Sequence, residues 1–224
     1  MIYVLGNGES RRDVDVEELK TKGKVYGCNG IYRDHVVDVL VSGDHNMQHE
    51  IYSSEYALKN KCYFAFWNPM PVEMHPYVME SLKDETVRVV ENNHYADTVE
   101  FVVQGHSISK TTYVCWLALE DKVRRIEDCF PPIEVDGVDM GGFSTGNMAV
   151  YIAAEENPGE EIELIGFDHG SKLGEENNIY KGTKNYAADP LGDEDSIKKQ
   201  ERWKSQMKYI IDHSPDNKFH GVNL

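Results

Sequence analysis

The chain opens on Met1-Ile2-Tyr3-Val4-Leu5-Gly6-Asn7-Gly8, followed by Glu9-Ser10 and a helix-like segment. A short apolar run carrying Tyr3 and Val4, broken by Gly-Asn-Gly and then by polar residues, reads as a first β-strand feeding a tight turn. At a glycine-rich strand-to-helix turn, backbone N–H groups can converge on an anion, because glycine admits close approach and a helix N-terminus carries partial positive charge. The stretch holds one glycine pair and not the full dinucleotide fingerprint. A plain structural turn therefore stays open beside a ligand cradle built on Gly6, Asn7 and Gly8.

Outward from this turn, residues 13–22 set Val14, Val16 and Leu19 among Asp, Glu and Lys, which predicts a short surface helix with Asp13 as N-cap and Gly23 as stop. Residues 24–28 predict a second strand ending in Asn29-Gly30, and 36–42 a third ending in Gly43-Asp44-His45. A helix is expected over 46–60, an aromatic strand over 61–67, a helix over 73–83 and a strand over 86–90. Later, Ser144-Thr145-Gly146 precedes an apolar helix over 147–155, capped by Ser144 or Thr145. A buried strand over 161–166 runs into Phe167-Asp168-His169. Residues 196–213 form a last helix with Trp203, Met207, Ile210 and Ile211 on one side, and 218–222 a closing strand.

Strands alternating with helices predict an α/β fold: a Rossmann-like, largely parallel sheet flanked by helices, in one domain spanning 1–224. Residues 91–140 are less regular, with a strand expected over 98–103 and a helix over 111–120, and read as a lid-like insertion. In an open α/β sheet, ligands sit at the carboxyl ends of the strands near the topological switch point. Asn7, Asn29, Asp44 and His45 are expected to gather there.

Composition narrows the function. With 39 acidic and 23 basic residues the formal charge is −16, which opposes non-specific binding to nucleic acid or anionic membranes. A small anionic ligand is still admitted, since a local cradle of amides can overcome an unfavourable global charge. Hydrophobic residues make up 40% of the chain, enough for a sizeable core. No apolar run approaches the roughly 20 residues that span a bilayer, and no basic segment leads into an apolar one as in a secretion signal. A cytoplasmic protein without a membrane span is expected. Cys28, Cys62, Cys115 and Cys129 form no C-x-x-C pair, so neither a zinc knuckle nor a disulfide framework is indicated. His45 and His49 stand at i, i+4 as two metal ligands could, but no carboxylate-containing motif accompanies them, and no metal site is assigned. Gly141-Gly142 lacks the Lys-Ser/Thr of a P-loop. Cys28 has no histidine partner evident from spacing and reads as a buried strand-end thiol.

The opening Leu-Gly-Asn-Gly-Glu-Ser, the later Val-Tyr-Gly-Cys-Asn-Gly-Ile-Tyr, and Ser-Thr-Gly-Asn-Met-Ala-Val-Tyr-Ile-Ala-Ala followed by Ile-Glu-Leu-Ile-Gly-Phe-Asp together resemble the bacterial lipooligosaccharide sialyltransferases and the related MptE-like family. The resemblance covers about the first 45 residues and roughly 141–180. It implies a Rossmann-type nucleotide-binding fold. It assigns Asn7, Gly8 and Asn29 to a nucleotide sugar, CMP-linked in that family, and Ser144, Thr145 and Gly146 to the same donor. Family tyrosines that steady the departing phosphate match nearest to His169 and Tyr180. The family's general-base histidine has no counterpart, because Tyr186-Ala-Ala-Asp-Pro190 stands where a His-Tyr-x-Gly-His stretch is expected.

Glycosyl transfer needs a base for the acceptor hydroxyl and groups that take up charge on the leaving phosphate. His45, His169, Asp44 and Asp168 stand at strand ends and could act as bases; Tyr180, Lys181 and Lys184 could meet phosphate. Asp168 as a turn cap and His45 as a helix cap are the structural alternatives, and His94 and His106 are read as surface or lid residues. The expected activity is nucleotide-sugar-dependent glycosyl transfer to a hydroxyl acceptor with no required cofactor. The alternatives are a pyrophosphokinase of MptE-like type, with Mg²⁺ held by Asp44 or Asp168, and a non-catalytic nucleotide-binding protein. Donor sugar, acceptor and oligomeric state stay open.

Overall fold

The computed structural model describes residues 1–44, 47–48, 50–51, 54–65, 123–169, 177–186 and 194–222, with strand segments at 68–69, 88–91, 99–103, 106–109 and 115–116. Seven strands form one sheet: Ile2–Leu5 (β1), Lys24–Cys28 (β2), Val39–Ser42 (β3), Cys62–Phe64 (β4), Val123–Arg125 (β5), Glu161–Ile165 (β6) and Lys218–His220 (β7). Their order is β5-β4-β3-β2-β1-β6-β7, and every pairing is parallel. The Rossmann-like α/β fold expected from the alternation of elements is the fold observed. From β1 the chain builds outward through β2 to β5, then returns to the other side of β1 with β6. The switch point therefore lies between β1 and β6.

Parallel strands covered on both faces bury successive side chains to opposite sides. Along β1, Tyr3 and Leu5 join Val25, Leu40 and Phe64 in one core, while Ile2 and Val4 join Tyr26, Val39, Val41 and Ile162 in the other. This is why the strands read as uninterrupted apolar runs. The helix Val16–Lys22 (α1) follows β1. Thr145–Glu156 (α2) lies across β1, β2, β3 and β6 and is covered in turn by Glu194–Asp212 (α3). Being clamped between sheet and helix, α2 is buried from Asn147 through Ala154, which accounts for its apolar, small-residue sequence. Fully burying such side chains stabilises by roughly 1.5–3 kcal/mol for each large aliphatic one.

Several local expectations are corrected. The N-cap of α1 is Asp15, whose side chain accepts from Glu18 N at 2.9 Å, and not Asp13. The helix expected over 46–60 is interrupted, because Glu55 adopts φ 62 and caps a separate turn, Tyr56–Lys59. Where a helix was expected over 111–120, Cys115–Trp116 pairs as a parallel strand with Asn68–Pro69. Within the stretch expected to be an insertion, Val123–Arg125 pairs with β4 and Ile126 is fully buried in the core. The strands Arg88–Glu91, Val99–Val103 and His106–Ser109 form an antiparallel sheet. The helix expected over 73–83 lies outside the described residues, as do His45, His49 and His94. No helix among the described residues is long and apolar enough to cross a membrane.

Candidate functional site

The strand topology opens a cleft of about 530 Å³ at the carboxyl edge of the sheet. Its walls hold Gly6, Asn7, Gly8, Asn29, Asp44, Ser144, Thr145, Gly146, Asp168 and His169. Residues far apart in the chain but alike in standing at strand ends or at the start of α2 are thus brought together. Tyr180 is not on this wall. It is 6% exposed, and its hydroxyl donates to Asp34 Oδ2 at 2.7 Å. Lys181 and Lys184 do not line the cleft either.

At the switch point the two glycines of Gly-Asn-Gly answer to a crossing of loops. Gly6 N donates to Ile165 O at 2.8 Å and Gly8 N to Gly166 O at 2.9 Å. A Cβ on Gly6 would meet Gly166 O at 2.3 Å, and one on Gly8 would meet Asp168 Cγ at 2.6 Å. The amides of Gly6 and Gly8 are thus spent on the β6 loop, and the two glycines let the loops touch. Asn7 between them is held by its side chain and its carbonyl. Its Nδ2 donates to Cys28 O at 3.2 Å and to Tyr186 Oη at 3.1 Å, and its carbonyl accepts from Ile179 N at 2.9 Å.

Asp168 caps the 3₁₀ turn Glu9–Arg11, taking Ser10 N at 3.0 Å on Oδ2 and the Ser10 hydroxyl on Oδ1. Asp44 is likewise a cap, accepting from Met47 N at 2.9 Å. Asn29 sits at φ 47, a left-handed conformation that asparagine tolerates, and accepts the Ser42 hydroxyl at 2.9 Å. Cys28 is buried, and burial pushes its thiol up to about 12, so it is protonated at neutral pH.

The anion-ready amides lie at α2 instead. Ser144 caps this helix, accepting from Asn147 N at 3.2 Å, and Thr145 Oγ1 accepts from Gly43 N at 3.4 Å. The amides of Thr145 and Gly146 are the orphan donors of the first turn, on the cleft wall, at the positive end of a 12-residue helix. Across from them α3 contributes Lys199 and Trp203, with the Lys199 ammonium 4.9 Å from the indole centroid. His169 follows β6 at φ 51. Burial, helped by the charge of Lys204, holds its imidazole below the ordinary 6.5, against the opposing pull of Asp168. At neutral pH it is unprotonated and able to accept a proton.

Four contributors escape sequence reasoning. Arg11 is 3% exposed and donates to Gly6 O at 2.8 Å, while its Nη2 reaches Asn7 Oδ1 and Tyr180 Oη, each at 3.4 Å. Its charge is balanced through Tyr180 by Asp34; burial and the bond to Asp34 push the Tyr180 hydroxyl up to about 12, opposed by Arg11. Tyr186 accepts from Gly30 N at 2.9 Å as well as from Asn7, and burial raises its hydroxyl far above the usual tyrosine value. Arg33 clamps the same loop, donating to Thr183 Oγ1 and Lys184 O at 2.7 Å each, with its guanidinium 5.6 Å from the Tyr186 ring. The fourth is Trp203, which the sequence groups with Met207, Ile210 and Ile211 on one side of α3 and which lies on the cleft wall.

No protein-family model, curated protein or solved structure matches this chain.

Proposed function

We propose that the chain is a nucleotide-sugar-dependent glycosyltransferase acting at the β1/β6 cleft. The observation that carries the reading is the convergence, at the switch point, of the free first-turn amides of α2, the Lys199 ammonium and an unprotonated His169. The leaving phosphate of the donor lies on Thr145 and Gly146, where helix amides and Lys199 take up the charge that develops as the bond from sugar carbon to phosphate oxygen breaks. His169 removes the acceptor hydroxyl proton as the oxygen bonds to that carbon. Asn7 and Asn29 frame the opposite wall and hold it in shape.

The same donor set bears on the Mg²⁺-dependent pyrophosphokinase. Asp168 has both oxygens engaged by Ser10, and Asp44 has one engaged by Met47. Their use as caps supports the metal-independent reading.

A panel of nucleotides and nucleotide sugars, assayed by thermal shift and calorimetry with and without Mg²⁺, tests the proposal. Metal-independent stabilisation by a nucleotide sugar, with release of nucleotide in the presence of a hydroxyl acceptor, is the expected result. Binding only with Mg²⁺ and ATP points to the pyrophosphokinase. Tight binding without turnover for any donor or acceptor makes the chain a nucleotide-sequestering protein. No stabilisation by any nucleotide of the folded chain overturns the site.

A further inference from the structure

Asn147 is 1% exposed, yet it stands on the cleft wall. Its Nδ2 donates to Trp203 O at 2.8 Å and to Gln206 Oε1 at 3.1 Å. A backbone carbonyl can only accept, so this bond fixes which end of the amide faces α3. The remaining end, Oδ1, accepts from no donor among the described residues and is the end left for the cleft. The orientation is held at a cost: Gln206 Oε1 also takes Ser144 N at 3.2 Å, which leaves Gln206 Nε2 buried without a partner among the described residues. Trp203 of α3, half-buried, lines the same cleft, with the Lys199 ammonium 4.9 Å from its ring centroid.

A buried acceptor next to an aromatic face suits a ring that offers an O–H on its edge and C–H groups on its face. It does not suit a carboxylate, which would bring an acceptor against an acceptor. The charge on the walls points the same way: Asp44 and Asp168 are the carboxylates and Lys199 the one lysine or arginine among the described lining residues. That cation is the group required by the leaving phosphate.

We propose that the side of the cleft between α2 and α3 is a subsite for a neutral, hydroxyl-bearing sugar ring, stacked on Trp203 and donating a hydroxyl hydrogen to Asn147 Oδ1. The assignment rests on the nucleotide-sugar reading for the group next to the sugar, but the subsite is testable without it. The experiment is ligand-observed saturation-transfer NMR on the full chain, with methyl β-glucopyranoside, methyl β-galactopyranoside and N-acetylneuraminic acid as separate probes. Calorimetry with cytidine and adenosine monophosphates runs in parallel.

At least one neutral glycoside should bind, more tightly than the acidic sugar. Trp203→Ala should abolish that binding and Trp203→Phe should retain it. Asn147→Ala should weaken it about tenfold, as expected for one lost hydrogen bond. Nucleoside monophosphate affinity should change less than about twofold in Asn147→Ala and in Trp203→Phe, which keeps an aromatic face for the Lys199 ammonium. Trp203 is partly exposed, so its variants keep the test in force if Asn147→Ala fails to fold. Nucleotide binding without any neutral glycoside binding overturns the subsite and leaves the nucleotide reading standing. Loss of nucleotide instead of glycoside binding in the variants makes the ring a nucleobase and also overturns it. Glycoside binding with no nucleotide binding supports the subsite and sinks the glycosyltransferase reading.

Discussion

Replacing Glu156 by glutamine should destabilise the chain by about 2 kcal/mol at neutral pH and flatten part of its acid unfolding. Glu156 ends α2 at the edge of the sheet opposite the cleft. Its Oε1 accepts from Lys61 Nζ and, at 2.6 Å, from Tyr63 Oη; its Oε2 accepts from Tyr26 Oη and, at 3.0 Å, from Lys24 Nζ. Burial alone would raise this carboxyl, but the four donors outweigh it and hold it at about 2 against an ordinary 4.5. At about 1.4 kcal/mol per tenfold, the difference of about 2.5 in pKa is worth roughly 3 kcal/mol. The carboxylate is 15% exposed, but Lys24 and Lys61 are 36% and 34% exposed. Solvent screening of those partners brings the figure to about 2 kcal/mol. Because the folded value is depressed, the unfolded chain protonates first as pH falls. The stabilisation is complete above about pH 5 and decays towards pH 2. Urea unfolding of both proteins at pH 7, 5, 4 and 3 reads this directly, as a gap that shrinks by more than half by pH 3. A gap that stays constant from pH 7 to pH 3, or none at pH 7, refutes the account.

Other outcomes follow from the cleft. Gly8→Ala should lower stability by roughly 1–3 kcal/mol, the usual cost of overpacking, because the new Cβ meets Asp168 and Gly166 O at 2.6 and 2.7 Å; a thermal melt within a degree of the parent contradicts the loop crossing. Tyr186→Phe strands the Gly30 amide and one hydrogen of Asn7 and should cost about 1–3 kcal/mol in urea unfolding, with weakened nucleotide binding. His169 has a folded pKa below that of the unfolded chain, so stability should fall as pH drops below about 6.5, where only the unfolded form gains the proton. Turnover should fall at lower pH as the folded imidazole protonates. His169→Gln should remove both effects, which paired pH profiles of melting and turnover would show.

What could be read in the sequence was whatever has a local cause. Gly-Asn-Gly, Asn29, Asp168 and Ser144-Thr145-Gly146 each sit where an apolar run stops or a helix begins, and strand ends of a parallel sheet share one edge. The elements that close the site have no such signal. Asn7 and Tyr186 are 179 positions apart when they bond, and Arg11 lies in a polar stretch like any surface segment, with nothing local to say that it is buried. Trp203 keeps step with Met207 and Ile210 on one side of α3, and the pattern does not separate them: Met207 and Ile210 are buried, while Trp203 is half-buried on the cleft wall. The three-residue step from Ser144 to Asn147 looked like a cap and is one, but the cap conceals a second group on the cleft wall.

The division of labour between the two glycine-bearing turns follows from a shortage of donors. A strand-to-helix turn can offer its amides to a ligand only if no other loop takes them, and at the switch point β1 and β6 are adjacent strands whose loops must pass each other. Gly6 and Gly8 bond that neighbouring loop through Ile165 and Gly166, and Asp168 neutralises the short 3₁₀ turn behind them. A carboxylate already seated at the first turn repels a phosphate from it. The turn before α2 has no such tenant: Ser144 satisfies one amide and leaves two, and the helix behind them is long enough to sustain a full terminal dipole. With the glycine crossing fixing the floor and α2 supplying the charge, a phosphate is drawn to the first turn of α2, at Thr145 and Gly146, and the neutral ring attached to it is left for the Trp203 side. Substitutions at Gly6 or Gly8 should therefore act on binding through the shape of the floor, and substitutions at Lys199 through charge, which salt dependence separates: only the latter loses its effect as ionic strength rises.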